Sequence, residues 1–207
     1  GQTSKLQPNR NSDSPLIRVG IVSQHFCSHP VGRITLPMMA AFPRDTFRVT
    51  VFAFPTFVDS WAQAISWSAD SYVQLPLDFV SASAKIAESA MDILLYPDHP
   101  DAIAALLSYQ RLAPVQVGYY VRGAVHDSGL APLDYFMYPE ILAEEKGNTV
   151  DLDLYSRFDQ QLVLLKGFGL PFDPPQRHRQ SMPTTSPVSV KQSVAYQVKY
   201  EFGGRRF

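Results

Sequence analysis

The first long apolar run of the chain, residues 16–22, places the strongest limit on the fold. Its sequence is LIRVGIV, in which aliphatic residues dominate without a clean polar alternation. This pattern is typical of a strand buried on both faces, as in a parallel sheet covered by helices. A polar loop, residues 24–28, separates the run from an apolar segment with helical periodicity that begins near Ile34. The chain is therefore expected to open with a strand–loop–helix unit.

The same organisation repeats along the chain. Strand-like segments alternate with segments that place apolar residues at helical spacing, such as residues 77–90. This alternation predicts an α/β domain with a Rossmann-like, mostly parallel, doubly wound sheet. The further predicted strands are 47–54, 70–75 (an edge strand), 91–97, 115–120, 133–139 and 160–166. We expect the strand core to contain Val19, Ile21, Val49, Val51, Ile93, Leu95, Val115 and Val117.

Composition divides the chain into three parts. Residues 1–15 are polar and predict a flexible lead-in, whereas residues 16–174 form the α/β domain. Residues 175–207 predict a Pro/Ser-rich C-terminal arm, because residues 176–190 hold two prolines and many hydroxyl side chains. The arm ends in a strand-like alternation of Val194, Tyr196, Val198, Tyr200 and Phe202. Such a strand suits either an edge of its own sheet or a partner protein.

Charge and composition exclude several classes of protein. The net charge is −1 and no basic cluster occurs, so we expect neither nucleic acid nor an anionic membrane as a partner. No apolar run approaches the ~20 residues of a membrane span, and no secretory leader opens the sequence. A single cysteine, Cys27, excludes an internal disulfide and favours an intracellular location, in the cytosol or an organelle. Any targeting segment is expected to be absent already.

Two histidines, His25 and His29, lie in or beside the first polar loop. A loop between the carboxyl end of a parallel strand and a helix is the usual ligand site of open α/β sheets. Hydrogen-bonded loop residues without a ligand are the alternative for both side chains. We expect no metal site, because the pair lies in a proline-bounded loop without a further cysteine or carboxylate ligand pattern.

Five segments, taken in order, resemble one protein family over about residues 16–174. That family is the protein O-linked N-acetylglucosamine transferases, including their SPINDLY-type and bacterial relatives, in the N-terminal lobe of the catalytic region. The first segment is similar to the family's Arg-Val-Gly-Tyr-Val-Ser strand followed by Asn-His-Pro, and the third to its Pro-Val-Gln-Val segment. The five segments are IRVGIVSQHFCSHPVGR, MDILLYPDHP, RLAPVQVGYY, SGLAPLDYFMYP and YSRFDQQLVLL.

The resemblance implies one lobe of a GT-B fold and a set of site residues. The family transfers N-acetylglucosamine, or fucose in the SPINDLY branch, from a nucleotide diphosphate to Ser or Thr hydroxyls. His29 matches the histidine of Asn-His-Pro that lines the active site, where a neutral imidazole accepts a proton or bonds the donor. His99 matches the histidine of a second family motif, Gly-His-Thr. Arg33, Arg122 and Gly123 are the candidates for contacts with the UDP-sugar donor.

The sequence also departs from the family pattern. His25 stands where the family has Asp, and residues 122–127 replace a glycine-rich loop that borders the donor. The 33 residues after Pro174 are too few to form the second lobe, which supplies most donor contacts in the family.

These departures favour a non-catalytic glycosyltransferase-like lobe, a pseudoenzyme without a cofactor. It would serve as a structural or interaction subunit of a larger assembly, with residues 176–207 as the contact to other protein subunits. The alternative is the N-terminal half of the catalytic region of a UDP-N-acetylglucosamine-dependent transferase that needs a separate donor lobe. In both cases we expect the chain to be inactive alone.

Overall fold

The computed structural model describes residues 16–55, 58–97, 102–119, 132–145, 149–150 and 152–166. The strands, in chain order, are β1 (Ile17–Ser23), β2 (Phe47–Ala53), β3 (Ser71–Gln74), β4 (Ile93–Tyr96), β5 (Val115–Tyr119), β6 (Tyr135–Pro139), β7 (Glu144–Glu145), β8 (Thr149–Val150) and β9 (Gln161–Leu165). The helices are α1 (Pro30–Ala41), α2 (Ser60–Ser68), α3 (Phe79–Glu88), α4 (Ala102–Ser108), α5 (Glu140–Ala143) and α6 (Leu152–Ser156). The predicted lead-in (1–15) and C-terminal arm (175–207) lie outside the described residues.

Seven strands form one sheet in the order β3-β2-β1-β4-β5-β6-β9, and every neighbouring pair is parallel. The α/β, Rossmann-like class is therefore confirmed, and β3 is an edge strand as expected. The sheet is parallel throughout, whereas the sequence predicted a mostly parallel one. The short antiparallel pair of β7 and β8 was not predicted.

Helices pack against the apolar strands on both faces of this sheet. One core cluster joins strand residues such as Val51 to Ile34 of α1 and Ile65 of α2. The other cluster joins strand residues such as Phe52 to α3 and α4. Because both faces are covered, the strands lack polar alternation. Of the eight predicted core residues, Ile93 and Val115 are only half-buried, since each begins its strand at the end of the sheet.

Three aspartates bond neighbouring strands together at their amino ends, each in the same way. Asp70, Asp92 and Asp134 directly precede β3, β4 and β6. Each carboxylate accepts the backbone N–H of a residue on the neighbouring strand, at 2.7–2.8 Å, and each Asp N–H donates to the carbonyl of that same residue. The paired residues are Val49, Arg18 and Gln116 respectively.

Each of these three aspartates also forms a salt bridge with an arginine. Arg44 binds Asp70 at 2.6 Å, Arg18 binds Asp92 at 3.2 Å and Arg111 binds Asp134 at 2.8 Å. The guanidinium groups of Arg44 and Arg111 also donate to backbone carbonyls. These three cations therefore stabilise the amino edge of the sheet, where a charged partner and backbone bonds hold them in place.

Among the residues that the structure describes, no helix is both long enough and apolar enough to cross a membrane.

Candidate functional site

The strand order defines where a ligand would bind. The chain runs outward from β1 to β2 and β3, then returns to the other side of β1 with β4. The crevice at the carboxyl ends of β1 and β4 is thus the topological switch point, the usual binding position in open α/β sheets. The switch-point loop, which we define as residues 24–29, leaves the end of β1 and leads into α1.

Short-range hydrogen bonds fold the switch-point loop tightly. The Ser23 hydroxyl oxygen accepts the N–H of His25 at 2.8 Å. The N–H of Cys27 donates to the His25 carbonyl at 2.8 Å, and the N–H of His29 donates to the Cys27 carbonyl at 2.7 Å. The loop backbone is therefore bonded at alternate residues up to the start of α1.

Gly32 allows the first turn of α1 to lie against this loop. A Cβ atom at Gly32 would collide with the backbone carbonyl oxygen of Cys27. Backbone atoms cannot move aside as the end of a side chain can, so glycine is required here. The sequence pattern alone does not reveal this contact.

His29 is the N-cap residue of α1. Its backbone is extended, and its Nδ1 atom accepts the N–H of Val31 at 3.3 Å. Pro30 follows at the first helical position, where a missing N–H is tolerated. An accepting Nδ1 carries no proton, so this hydrogen bond assigns the proton of the neutral ring to Nε2.

His25 stacks on His29. The two ring centroids are 4.3 Å apart and the ring planes differ by 22°. The Nε2 atom of His25 lies 3.4 Å from the side-chain amide nitrogen of Gln24. Both imidazoles are half-buried, so they are packed and still reachable from solvent. The two loop histidines thus form a stacked pair that solvent can reach.

Asp59 ties the switch-point loop to α2. One carboxylate oxygen, Oδ1, accepts the N–H groups of Trp61 (3.0 Å) and Ala62 (2.9 Å) and so caps α2. The other oxygen, Oδ2, accepts the N–H of Ser28 at 2.6 Å. Hydrogen bonds from these backbone N–H groups, that of Ala62 foremost, hold the pKa of the Asp59 carboxyl below its usual value.

Arg33 of α1 contacts both the switch-point loop and α2. Its guanidinium carbon is 5.5 Å from the centre of the Trp61 ring, a cation–π distance, and Nη2 donates to the Ser28 hydroxyl at 3.4 Å.

Burial, with the nearby charge of Asp59, raises the pKa of the Cys27 thiol, so this cysteine is poorly suited to act as a nucleophile. Among the described residues, no three His, Cys, Asp or Glu side chains are grouped as a metal site requires.

The comparisons with known proteins rest on structure. No protein-family model matches the chain, and no curated protein matches its sequence. A mutant of the O-GlcNAc transferase of Thermobaculum terrenum matches with a TM-score of 0.66 and 24% identity, over 78% of this chain and 30% of that one. A Listeria monocytogenes protein described as a UDP-N-acetylglucosamine 2-epimerase matches with a TM-score of 0.36 and 11% identity, over 59% and 38%. The fold is that of a GT-B lobe.

The chain thus spans 30% of the length of the transferase chain that it resembles in fold. Within this GT-B-type lobe, the structure brings His29 and Arg33, both predicted as site residues, to the same loop–helix junction. Arg33 contacts Ser28 and Trp61 there. The other predicted site residues, His99, Arg122 and Gly123, lie outside the described residues, as does the segment between β4 and α4 that holds His99.

Sequence reasoning did not identify Asp59, Gly32 or Trp61 as parts of the site. Only Asp59 carries a local signal, since an aspartate directly before an amphipathic segment is a common N-cap. Its bond to Ser28 joins residues 31 positions apart, and nothing in the local sequence indicates such a contact.

Proposed function

We propose that this chain supplies the N-terminal wall of the cleft of a two-lobed, GT-B-type sugar-nucleotide transferase, and that it does not transfer sugar alone. The observation that supports this proposal is the switch-point loop. It holds two stacked histidines, of which His29 caps α1, at the carboxyl edge of the sheet, where open α/β sheets usually bind their ligands. The similar structure is an O-GlcNAc transferase, which suggests a UDP-N-acetylglucosamine donor and a protein hydroxyl as acceptor.

In this proposal His29 acts through its Nε2–H group. The proton on Nε2 suits a hydrogen bond to an oxygen of the sugar donor better than it suits proton abstraction, because Nδ1 already serves the cap of α1. The loop is held before any ligand arrives, so little ordering is needed on binding.

The leaving diphosphate needs positive charge in the crevice. Arg18, Arg44 and Arg111 are paired at the opposite edge of the sheet, whereas Arg33 contacts Trp61 and Ser28 beside the switch-point loop. In this proposal a donor-binding lobe supplies further charge, with His99, Arg122 and Gly123 remaining candidates for further contacts in the cleft.

A domain exchange tests the proposal. Residues 16–174 would replace the matching lobe of the Thermobaculum terrenum enzyme, and transfer from UDP-N-acetylglucosamine to an acceptor peptide would be measured. We expect transfer by the chimera, at least a tenfold loss with His29→Ala, and no loss with Lys85→Ala on the exposed surface of α3. Calorimetry on the isolated chain should detect no micromolar binding of the nucleotide sugar. A chimera that folds and binds UDP but transfers nothing would contradict the proposal.

A second candidate function is the non-catalytic interaction lobe. The observation that favours it is the exposure of several large apolar side chains within residues 58–80. Trp67 is 82% exposed, and the others are Val58, Tyr72, Leu77 and Val80. Exposed apolar side chains that share one patch are typical of a surface that contacts another protein. Replacing Trp67 and Tyr72 by Ser should release partner proteins in affinity purification without lowering the melting temperature.

The C-terminal arm, residues 176–207, stays the other predicted contact to partner subunits. Truncation after Pro175 separates the two alternatives for its strand-like end. Loss of partners with an unchanged melting temperature favours pairing with another protein, and a lower melting temperature favours pairing within the chain.

A further inference from the structure

One carboxylate connects two parts of the fold that are 31 residues apart in sequence. Asp59 divides its oxygens between them, with Oδ1 on the first turn of α2 and Oδ2 on the backbone of Ser28. The bond to Ser28, at 2.6 Å, is shorter than the two bonds that cap the helix. Short bonds between a charged acceptor and an N–H group are among the stronger hydrogen bonds in proteins.

We propose that Asp59 is a positioning residue for His29. Ser28 directly precedes His29, and the N–H of His29 is itself bonded to the Cys27 carbonyl. With Ser28 held by Asp59, the backbone entering His29 is fixed on one side by α2 and on the other by α1. The imidazole then keeps the bond between Nδ1 and Val31 and presents the proton on Nε2. The catalytic meaning of this arrangement rests on the function proposed above.

A second link between the same elements supports the assignment. Arg33 of α1 contacts both the Trp61 ring of α2 and the Ser28 hydroxyl. Ser28, Asp59, Trp61 and Arg33 therefore form a closed set of contacts among the loop, α1 and α2. In this set Arg33 connects the loop to α2.

Substitutions at Asp59 can separate its two roles, which are to cap α2 and to accept the N–H of Ser28. Asn and Ser are N-cap residues about as good as Asp, so Asp59→Asn and Asp59→Ser should keep the cap of α2. An Asn side chain bonded to α2 through its oxygen offers only an NH₂ group to Ser28, and this group cannot accept an N–H. Ser lacks a second oxygen altogether. Both variants thus remove the bond to Ser28 selectively.

Nuclear magnetic resonance on the full chain, without any nucleotide, tests the assignment. The readouts are the Nδ1 and Nε2 nitrogen shifts of His29 and the amide hydrogen exchange of Ser28. In the wild type we expect a fixed tautomer with two well-separated nitrogen shifts. In both Asp59 variants these shifts should converge, and Ser28 exchange should accelerate about tenfold or more, because the loop samples other conformations.

Asp78→Asn is the matched control, because Asp78 caps α3 through the N–H of Ser81 and does not touch the loop. It should leave the His29 signals unchanged. The proposal is overturned if either Asp59 variant keeps the wild-type tautomer, or if the Asp59 variants unfold while Asp78→Asn stays folded. Since no sugar is present, failure here is distinct from failure of the domain exchange, which measures transfer.

Discussion

The side chain of Gln116 uses all of its hydrogen-bonding capacity inside the core. Its oxygen accepts from the Tyr96 hydroxyl and from the N–H of Leu112, each at 3.2 Å. Its NH₂ group donates to the carbonyls of Ser108 (2.7 Å) and Pro132 (3.1 Å). The residue is fully buried, so water cannot replace any of these partners. At the residue scale, this amide joins β4, β5, the end of α4 and the approach to β6.

Replacing Gln116 by Leu should therefore be strongly destabilising. The substitution introduces an apolar side chain of similar size, which takes away the acceptor of the Tyr96 hydroxyl and of the Leu112 N–H. The carbonyls of Ser108 and Pro132 also lose one donor each, although Arg111 still donates to both. An unsatisfied buried group costs about 1–3 kcal/mol, so we expect a loss of about 3 kcal/mol or more in the free energy of unfolding. Urea denaturation measures it, and Gln63→Leu on the exposed side of α2 is the control. A loss below about 1 kcal/mol would contradict the role given to the amide.

Two aspartates that cap helices should make the stability of the protein fall in acid. Hydrogen bonds lower the pKa of Asp59, chiefly that from the N–H of Ala62, and of Asp78, chiefly those from Ser81, below the ordinary 3.8. A lowered folded-state pKa stabilises the protein above the unfolded-state pKa, and this contribution is lost as pH falls through the folded-state value. Melting curves of the wild type and the Asp59→Asn/Asp78→Asn double variant should differ at pH 6 and converge as the pH falls below 3.8. A difference that persists at the lowest pH would refute this cause.

How far single residues could be predicted from the sequence depends on the range of their contacts. His29 was placed correctly beside a helix start, because Pro and an apolar period follow it in sequence. Gln116 lies in a segment that was predicted as a strand and that resembles a family motif, but neither observation indicated a role for its side chain. Its four partners are spread from residue 96 to residue 132, so its role became clear only from the tertiary structure.

At the scale of elements, the strands of the seven-stranded sheet were predictable because all but the short edge strand β3 contain an apolar run. The aspartates before β3, β4 and β6 are a signal that sequence reasoning could have used, since the same residue type precedes three strands. Which strand each carboxylate would bond could not be derived, because that depends on the order of strands in the sheet. The four-residue α5 and the two-residue β7 and β8 are too short to leave a periodic pattern.

Helix α1 contains one polar group that its packing does not satisfy. The hydroxyl oxygen of Thr35 is buried and has no hydrogen-bond partner among the described residues. Thr35→Val keeps the shape and removes the hydroxyl, so we expect a gain of about 1 kcal/mol in the free energy of unfolding. The control is Thr46→Val, which removes the bond from an exposed hydroxyl to Asp45 and should bring no gain. A destabilised Thr35→Val protein would show that the hydroxyl has a partner.

At the scale of the described domain, the two ends of the sheet have different tasks. Asp–Arg pairs close its amino edge, and the switch-point loop lies at its carboxyl edge. The three Asp–Arg pairs thus stabilise the end of the sheet that lies away from the switch-point loop, whereas Asp59 and Arg33 hold the loop itself.

The order of the strands predicts how protection from hydrogen exchange varies across the sheet. β1 lies between β2 and β4 and is buried along most of its length. Among the described residues β3 pairs on one side only, and its residues alternate between half-buried and exposed. Opening β1 requires loss of both core clusters, so its amides should exchange only through global unfolding, while those of β3 open locally. Exchange followed by mass spectrometry should show residues 17–23 protected at least a hundredfold longer than residues 71–74. Equal protection of the two segments would mean that the edge strand is covered in solution, as the interaction-lobe alternative requires, and Trp67→Ser should then speed exchange in β3 alone.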